Sequence, residues 1–109
     1  DIRKEFETNL FIPGSTEGVN IELEKALRLN DFITMGELIA YDALNRNESC
    51  GGHFREEYQT EEGEAKRDDE NYFYVSCWEY QGSDDVAPVL YKEPLVYEAI
   101  KVQTRNYKS

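Results

Sequence analysis

The chain changes character at Ala43-Leu-Asn-Arg-Asn-Glu-Ser-Cys-Gly-Gly-His-Phe-Arg-Glu-Glu-Tyr58, and again at Arg67-Asp-Asp-Glu-Asn71. Before the first stretch, apolar residues recur at helical spacing, whereas after the second they cluster in short runs that are typical of strands. Because Gly51 and Gly52 interrupt the helical pattern, we expect them to end the helix with a left-handed residue. The order of these patterns predicts an α+β fold.

A long helix is predicted between Asn20 and the two glycines. Asn20 is a favourable N-cap, and Glu22 and Glu24 would lie in the first turn, where the helix dipole favours negative charge. The span allows one helix of about 26 residues, which would be roughly 39 Å long at 1.5 Å per residue. Asn30-Asp31 is a point at which this helix could bend or split in two.

Apolar residues lie on more than one side of this predicted helix. One stripe contains small residues that permit a close approach of another helix; its members are Ala26, Leu29, Ile33, Gly36, Ala40 and Ala43. A second stripe holds Leu23, Leu27, Leu38 and Tyr41, and a third edge holds Phe32 and Ile39. We therefore expect an apolar surface that a larger protein covers, and self-association of the chain when that cover is missing.

Shorter elements are expected on both sides of the long helix. Ile2, Phe6 and Leu10 recur every four residues and predict a short helix that Pro13-Gly14 ends. The two helices would form a partial helical bundle over residues 1–47, followed by a glycine-rich and acidic loop over residues 48–71.

The C-terminal part of the sequence predicts a β-hairpin over residues 72–102. Phe73-Tyr-Val-Ser-Cys-Trp-Glu-Tyr80 is aromatic and β-branched, and Val89-Leu-Tyr-Lys92 is apolar enough to pair with it. We expect Pro94 to interrupt the second strand. Residues 97–102 are expected to form a third short strand or an extended arm, and residues 103–109 a tail that is ordered only if something holds it.

The composition argues against several classes of function. The net charge is −11, from 23 acidic and 12 basic residues, which disfavours binding to nucleic acid or to an anionic membrane surface. No apolar run approaches the roughly 20 residues that span a bilayer. Cys50 and Cys77 are expected to be reduced thiols, and the acidic run of residues 56–70 to be a solvated loop.

The residues alone predict no active site in this chain. Cys50 and His53 could belong to a metal site or form a thiol and its base, but one histidine and two cysteines are too few for a zinc site, and a catalytic dyad needs a third orienting group. Arg55, Arg67, Asp68 and Asp69 are expected to form surface ion pairs or, alternatively, a surface that docks to a neighbouring domain. No glycine-rich phosphate loop is present.

Two motifs resemble a known family. Glu48-Ser-Cys-Gly-Gly-His-Phe-Arg-Glu-Glu57 and Arg67-Asp-Asp-Glu-Asn71 occur in the order and spacing of the C-terminal helical domain of the flavoprotein subunit of succinate dehydrogenase and fumarate reductase. That family's first motif is close to Glu-Ser-Arg-Gly-Ala-His-x-Arg-x-Asp/Glu. The chain departs from it at Cys50, where many relatives carry Arg, and at Gly52, which replaces a common Ala.

The resemblance implies that the chain is part of a larger subunit, which binds FAD and interconverts succinate and fumarate. In such proteins the flavin-binding and catalytic residues lie upstream, so we expect no catalytic, cofactor-binding or metal-binding residue here. The expected partners are the flavin domain of the same subunit, the iron–sulfur subunit and the membrane anchor, at the cytoplasmic face of a bacterial inner membrane. The residues expected to dock are Cys50, Gly51, Gly52, His53, Arg55, Arg67, Asp68 and Asp69.

Two alternatives to this interpretation stay open at the level of sequence. L-aspartate oxidase and adenylylsulfate reductase flavoproteins share the architecture, so the chain could be the tail of such a relative. A stand-alone acidic interaction module with no enzyme attached is the other possibility. The sequence does not distinguish succinate oxidation from fumarate reduction, nor does it identify the quinone partner.

Overall fold

Helices precede a two-stranded antiparallel hairpin in the computed structural model, which describes residues 1–106. The elements are α1 (Ile2–Asn9), α2 (Ile21–Asn45), α3 (Asp69–Tyr72), β1 (Tyr74–Glu79) and β2 (Val89–Pro94). The predicted α+β class, with helices before a hairpin, is confirmed. None of the helices in the described part of the chain has the length and apolar character needed to cross a membrane.

The chain divides into two units, Asp1–Leu44 and Asn45–Ser109. In the first unit, α2 begins as the sequence predicts, because the Asn20 Oδ1 accepts hydrogen bonds from the amides of Glu22 at 3.1 Å and Leu23 at 3.2 Å. The helix runs without a break through Asn30-Asp31, so it is not split there.

The C-terminal end of α2 differs from the prediction. The helix ends at Asn45, well before Gly51, so the expectation that the two glycines end it is wrong. Residues 46–50 carry one polar or charged side chain after another, and the structure uses several of these in hydrogen bonds outside the helix. Those bonds compete with continuation of the helical backbone pattern.

Helix α1 lies against α2 through a polar contact. The Arg3 guanidinium donates to Thr34 Oγ1 at 3.2 and 3.3 Å and forms an ion pair with Glu37 at 3.0 Å. Phe6 on α1 and Ile33 on α2 are half-buried. Within residues 1–106, however, no apolar side chain is fully buried, so neither unit encloses a conventional hydrophobic core in this chain.

Gly36 in α2 leads to a stability prediction. Among the described residues, no atom outside the neighbouring helical backbone lies within 4 Å of the position that a Cβ would occupy, so an alanine side chain fits there. Because glycine is a poor helix former, Gly36→Ala should raise the free energy of unfolding by roughly 0.5–1 kcal/mol, measured by thermal or urea denaturation. The reciprocal control, Ala40→Gly, should lower it by a similar amount. A loss of stability in Gly36→Ala would show that another part of the chain covers this stripe.

The hairpin of the second unit pairs β1 with β2 in antiparallel register. Tyr74 lies opposite Pro94, Cys77 opposite Tyr91 and Glu79 opposite Val89. Burial alternates along β1, with Tyr74, Ser76 and Trp78 on the half-buried face. The expectation that Pro94 interrupts the second strand is wrong, because Pro94 is its last residue, a position at which the missing amide is tolerated.

An extended arm follows β2. The Leu95 amide donates to the Phe73 carbonyl at 3.2 Å, and the rings of Phe73 and Tyr97 meet edge to face with centroids 5.7 Å apart. No strand follows β2 in residues 95–106, so of the two alternatives the extended arm is observed. Residues 107–109 of the predicted tail lie outside the described residues.

Candidate functional site

The first motif is built around a tight turn at Cys50–His53. The Cys50 amide donates to the His53 carbonyl at 2.8 Å, and the His53 amide donates to the Cys50 carbonyl at 3.0 Å. Gly51 has a φ of +58°, in the left-handed region. Glycine at the first central position fits a two-residue hairpin turn, and a side chain there would strain the backbone. The glycines therefore shape a turn and do not cap a helix.

Ser49 connects this turn to the rest of the motif by hydrogen bonds. Its side chain is fully buried, at 0% exposure. Its Oγ accepts a hydrogen bond from the Arg55 amide at 2.8 Å and donates one to the Arg55 carbonyl at 3.1 Å. Its own amide donates to the Lys66 carbonyl at 2.9 Å. One hydroxyl therefore bonds to both the amide and the carbonyl of residue 55, and the position requires a small polar side chain.

The acidic run forms a second hairpin and is not simply a solvated loop. The Lys66 amide donates to the Tyr58 carbonyl at 3.2 Å, and the Thr60 amide donates to the Glu64 carbonyl at 2.8 Å. Gly63, with a φ of +79°, lies at its turn. Glu61 is exposed there, as the charge pattern predicts.

A buried ion pair lies at the centre of the motif. Glu48 is 3% exposed, and its Oε1 accepts a hydrogen bond from Arg46 Nη1 at 2.8 Å. Burial removes water from the carboxylate, so each of its oxygen atoms needs a partner inside the protein. The second oxygen has one, because Oε2 accepts from the Asp68 amide at 2.9 Å. Glu48 thereby connects the first motif to the second.

Arg46 extends this connection to the hairpin. Its Nη1 donates to the Tyr72 carbonyl at 3.0 Å, and its Nη2 donates to Ser76 Oγ at 3.2 Å. The guanidinium also lies 5.7 Å from the Tyr72 ring centroid and 5.1 Å from that of Tyr74. Such cation–π contacts add to the hydrogen bonds where the cation is shielded from water. Arg46 and Glu48 thus bring together the two motifs and β1.

His53 and Arg55 turn back toward the end of α2. His53 Nε2 lies 3.0 Å from the Arg46 carbonyl, and because a carbonyl only accepts, this nitrogen carries the proton. Arg55 Nη1 reaches the same carbonyl at 3.3 Å and Asn47 Oδ1 at 2.9 Å. These contacts satisfy the carbonyl that the helix leaves free at its C-terminus.

Arg55 also acts on an exposed carboxylate. Its Nε donates to Glu57 Oε1 at 2.8 Å, and its guanidinium lies 5.3 Å from the Tyr58 ring centroid. The pKa of Glu57 is lowered below its ordinary value, first by a backbone hydrogen bond to the carboxylate and then by the hydrogen bond from Arg55. Glu57 is thus held in its charged form.

The second motif contains a helix cap and a bidentate ion pair. Asp68 caps α3 by accepting from the Asn71 amide at 3.2 Å. Arg67 donates to both oxygens of Asp69, at 3.0 and 2.7 Å, and its third hydrogen bond goes to the Gln103 carbonyl at 2.9 Å. The hydrogen bond with Asp69 is the main cause of the raised pKa of Arg67.

The candidate docking residues therefore fall into three local structures. Cys50, Gly51, Gly52 and His53 form the turn, Arg55 bonds to Arg46 and Asn47 just after α2, and Arg67, Asp68 and Asp69 belong to the second motif. Their role in docking stays a prediction. The residues that the sequence analysis missed are Arg46 and Glu48 at the centre, because a charged pair in a polar run looks like part of the surface. The signal that could have found them is the pair of opposite charges two residues apart at the start of the first motif.

Metal and dinucleotide sites have typical arrangements, with which the described residues can be compared. Residues 1–106 contain no group of three side chains placed to bind a metal ion. A dinucleotide site would need a glycine-rich turn between a strand and a helix N-terminus. The loop holding Gly14 and Gly18 follows α1, and the first amides of α2 are already bonded to Asn20. Glu22 in the first turn would also repel a phosphate.

Comparison with known proteins identifies the family. The family described as "Fumarate reductase flavoprotein C-term" matches residues 1–107, nearly the whole chain. No solved structure matches this chain. The family match spans both motifs and both structural units, so it does not depend on one short segment. The chain therefore belongs to the family of C-terminal domains of fumarate reductase and succinate dehydrogenase flavoproteins.

Proposed function

We propose that this chain is a docking domain that completes a flavoprotein subunit without contributing residues to the reaction. The subunit binds FAD and interconverts succinate and fumarate, and the flavin domain of the same subunit carries both the cofactor and the catalytic residues. The direction of the reaction in the cell depends on the flavin potential and the quinone, and both lie outside this chain.

The observation that supports this proposal most strongly is the exposed apolar surface of α2. Ile21 is 63% exposed, Phe32 65% and Ile39 63%, although a soluble domain normally covers such side chains when they share one helix face. Met35 lies on the same side, since 32, 35 and 39 follow helical spacing. We call Ile21, Phe32, Met35 and Ile39 the exposed α2 face. A neighbouring domain would bury this face.

The second unit has a different part in the proposal. Its two motifs are joined by polar contacts of the buried Ser49 and Glu48 and the partly buried Arg46. Pre-organised polar loops lose little conformational freedom on binding, which favours recognition. The turn at Cys50–His53 and the Arg67–Asp69 pair are thus the surface through which this unit would contact the flavin domain.

Further partners follow from the family. The assembled complex would contain an iron–sulfur subunit and a membrane anchor, and would lie at the cytoplasmic face of the inner membrane in a bacterium. The chain would reach the membrane only through those partners, since its net charge of −11 disfavours direct contact with anionic lipid.

The enzymatic part of the proposal is tested on the natural polypeptide that contains this sequence. Flavin content should be measured after denaturation, together with succinate-dependent reduction of a dye. We expect bound flavin and turnover with succinate. If the polypeptide binds no flavin and does not react with succinate, the proposal is wrong, and a stand-alone acidic interaction module becomes the better interpretation.

A further inference from the structure

The C-terminal arm, residues 95–106, belongs to no strand or helix, and it contacts the second motif at Gln103. An extended segment at the end of a domain usually loses order unless specific contacts hold it. Two contacts hold the beginning of this arm, namely the hydrogen bond from the Leu95 amide to Phe73 and the edge-to-face contact between Phe73 and Tyr97. A third contact holds it further on, at Gln103.

We propose that Arg67 is a latch that holds the C-terminal arm as a strap across the second unit. Its guanidinium has five N–H donors in a planar fork. Two of its nitrogens bind the Asp69 carboxylate side by side, and Nη1 donates to the Gln103 carbonyl at 2.9 Å. Asp69 thus orients the Arg67 guanidinium, and the guanidinium in turn holds the arm through the Gln103 carbonyl.

The geometry explains why the latch requires arginine. Bidentate pairing with Asp69 uses Nε and Nη2 at one edge of the planar group, which leaves Nη1 at another edge for the arm. A lysine ammonium is a point charge on a flexible stem, and it cannot reproduce two parallel bonds and a third bond in a fixed direction. The guanidinium is largely shielded from water, with 21% of its side chain exposed, so its hydrogen bonds compete only partly with solvent.

The latch links two distant parts of the sequence. Gln103 is 36 residues from Arg67, and α3, β1 and β2 lie between them in the sequence. If Gln103 were released, the segment that carries the exposed Ile100 and Val102 could move, while β1 and β2 would stay paired. The order of the arm beyond Tyr97 therefore depends on the second motif.

Limited proteolysis of the whole chain tests the latch. Trypsin cleaves after Lys101, which lies in the arm between Tyr97 and Gln103, and mass spectrometry gives the rate of that cleavage. Loss of one charge-assisted hydrogen bond at a partly exposed site should make cleavage of Arg67→Lys roughly three- to tenfold faster. Emission of Trp78, the single tryptophan, reports whether β1 keeps its surroundings. Arg28→Lys is the matched control, because Arg28 forms an ion pair with Glu24 on the surface of α2.

The outcomes separate a latch from a general structural role. Faster cleavage at Lys101 with unchanged Trp78 emission supports the latch. An unchanged cleavage rate overturns it, and so does faster cleavage that accompanies a shifted Trp78 emission, since the arm is then released by unfolding. If Arg67→Lys does not fold, Asp69→Asn decides the question in the same assay, because it leaves Arg67 in place but removes the charge that orients the fork.

Discussion

Glu48→Gln should unfold the second unit at room temperature or leave it barely stable. The substitution removes the charge that balances Arg46 at a site where the carboxylate is 3% exposed. Breaking a buried ion pair by removing one partner typically costs about 3–5 kcal/mol. Since no apolar side chain is fully buried in residues 1–106, little other stabilisation remains to offset that loss. Urea denaturation followed by Trp78 emission measures the effect.

The control for this prediction is Glu57→Gln. Glu57 also pairs with an arginine, at Arg55, but its side chain is 55% exposed, so water replaces the lost contact. We expect the denaturation midpoint of Glu57→Gln to stay close to that of the unchanged chain. If both substitutions lowered the midpoint equally, or if neither did, the buried Arg46–Glu48 pair would not be the centre of the second unit.

Phe32→Asp should be tolerated in the isolated chain but should abolish turnover in the full polypeptide. In the isolated chain Phe32 is exposed, so the substitution should leave the helix content unchanged and reduce self-association. In the full polypeptide, docking would bury the new carboxylate without a partner, at a cost of several kcal/mol. We therefore expect loss of succinate-dependent turnover there. Circular dichroism and sedimentation test the first expectation, and the dye assay tests the second.

Asn30→Asp is the matched control for charge. It introduces the same carboxylate on the same exposed helix, two residues away and about 160° around its axis from Phe32. The control should retain turnover in the full polypeptide. Equal losses in both variants would mean that added charge anywhere on α2 is harmful, and full turnover in Phe32→Asp would show that the exposed α2 face is not a docking surface.

The sequence predicts the regular elements well, because their signals are local. Asn20 marks the start of α2 through its own capping bonds, and the aromatic and β-branched run at Phe73–Tyr80 contains β1. The apolar stripes also indicate correctly that α2 has more apolar surface than this chain covers. Each of these features depends on residues that are neighbours in sequence.

The remaining features depend on contacts between distant residues. The end of α2 at Asn45 and the burial of Glu48 both follow from bonds to residues 68–76, which no helical pattern reveals. The latch between Arg67 and Gln103 is equally distant. Helix α3 is too short to show a periodicity, although Asp68 provides its cap. The candidate docking residues lie in two short motifs that the sequence reveals. The Arg46–Glu48 pair that connects these motifs, however, looks like surface charge in the sequence.

Amide hydrogen exchange of α2, measured in the isolated chain and in the full polypeptide, tests the docking proposal most directly. If a neighbouring domain covers the exposed α2 face, amides near Phe32 and Ile39 should exchange at least tenfold more slowly in the full polypeptide, because packing suppresses local opening of the helix. Amides of the acidic hairpin tip at Glu61 and Glu62 serve as an internal reference and should exchange alike in both. Equal exchange of α2 in the two forms would contradict the account of this chain as a docking domain.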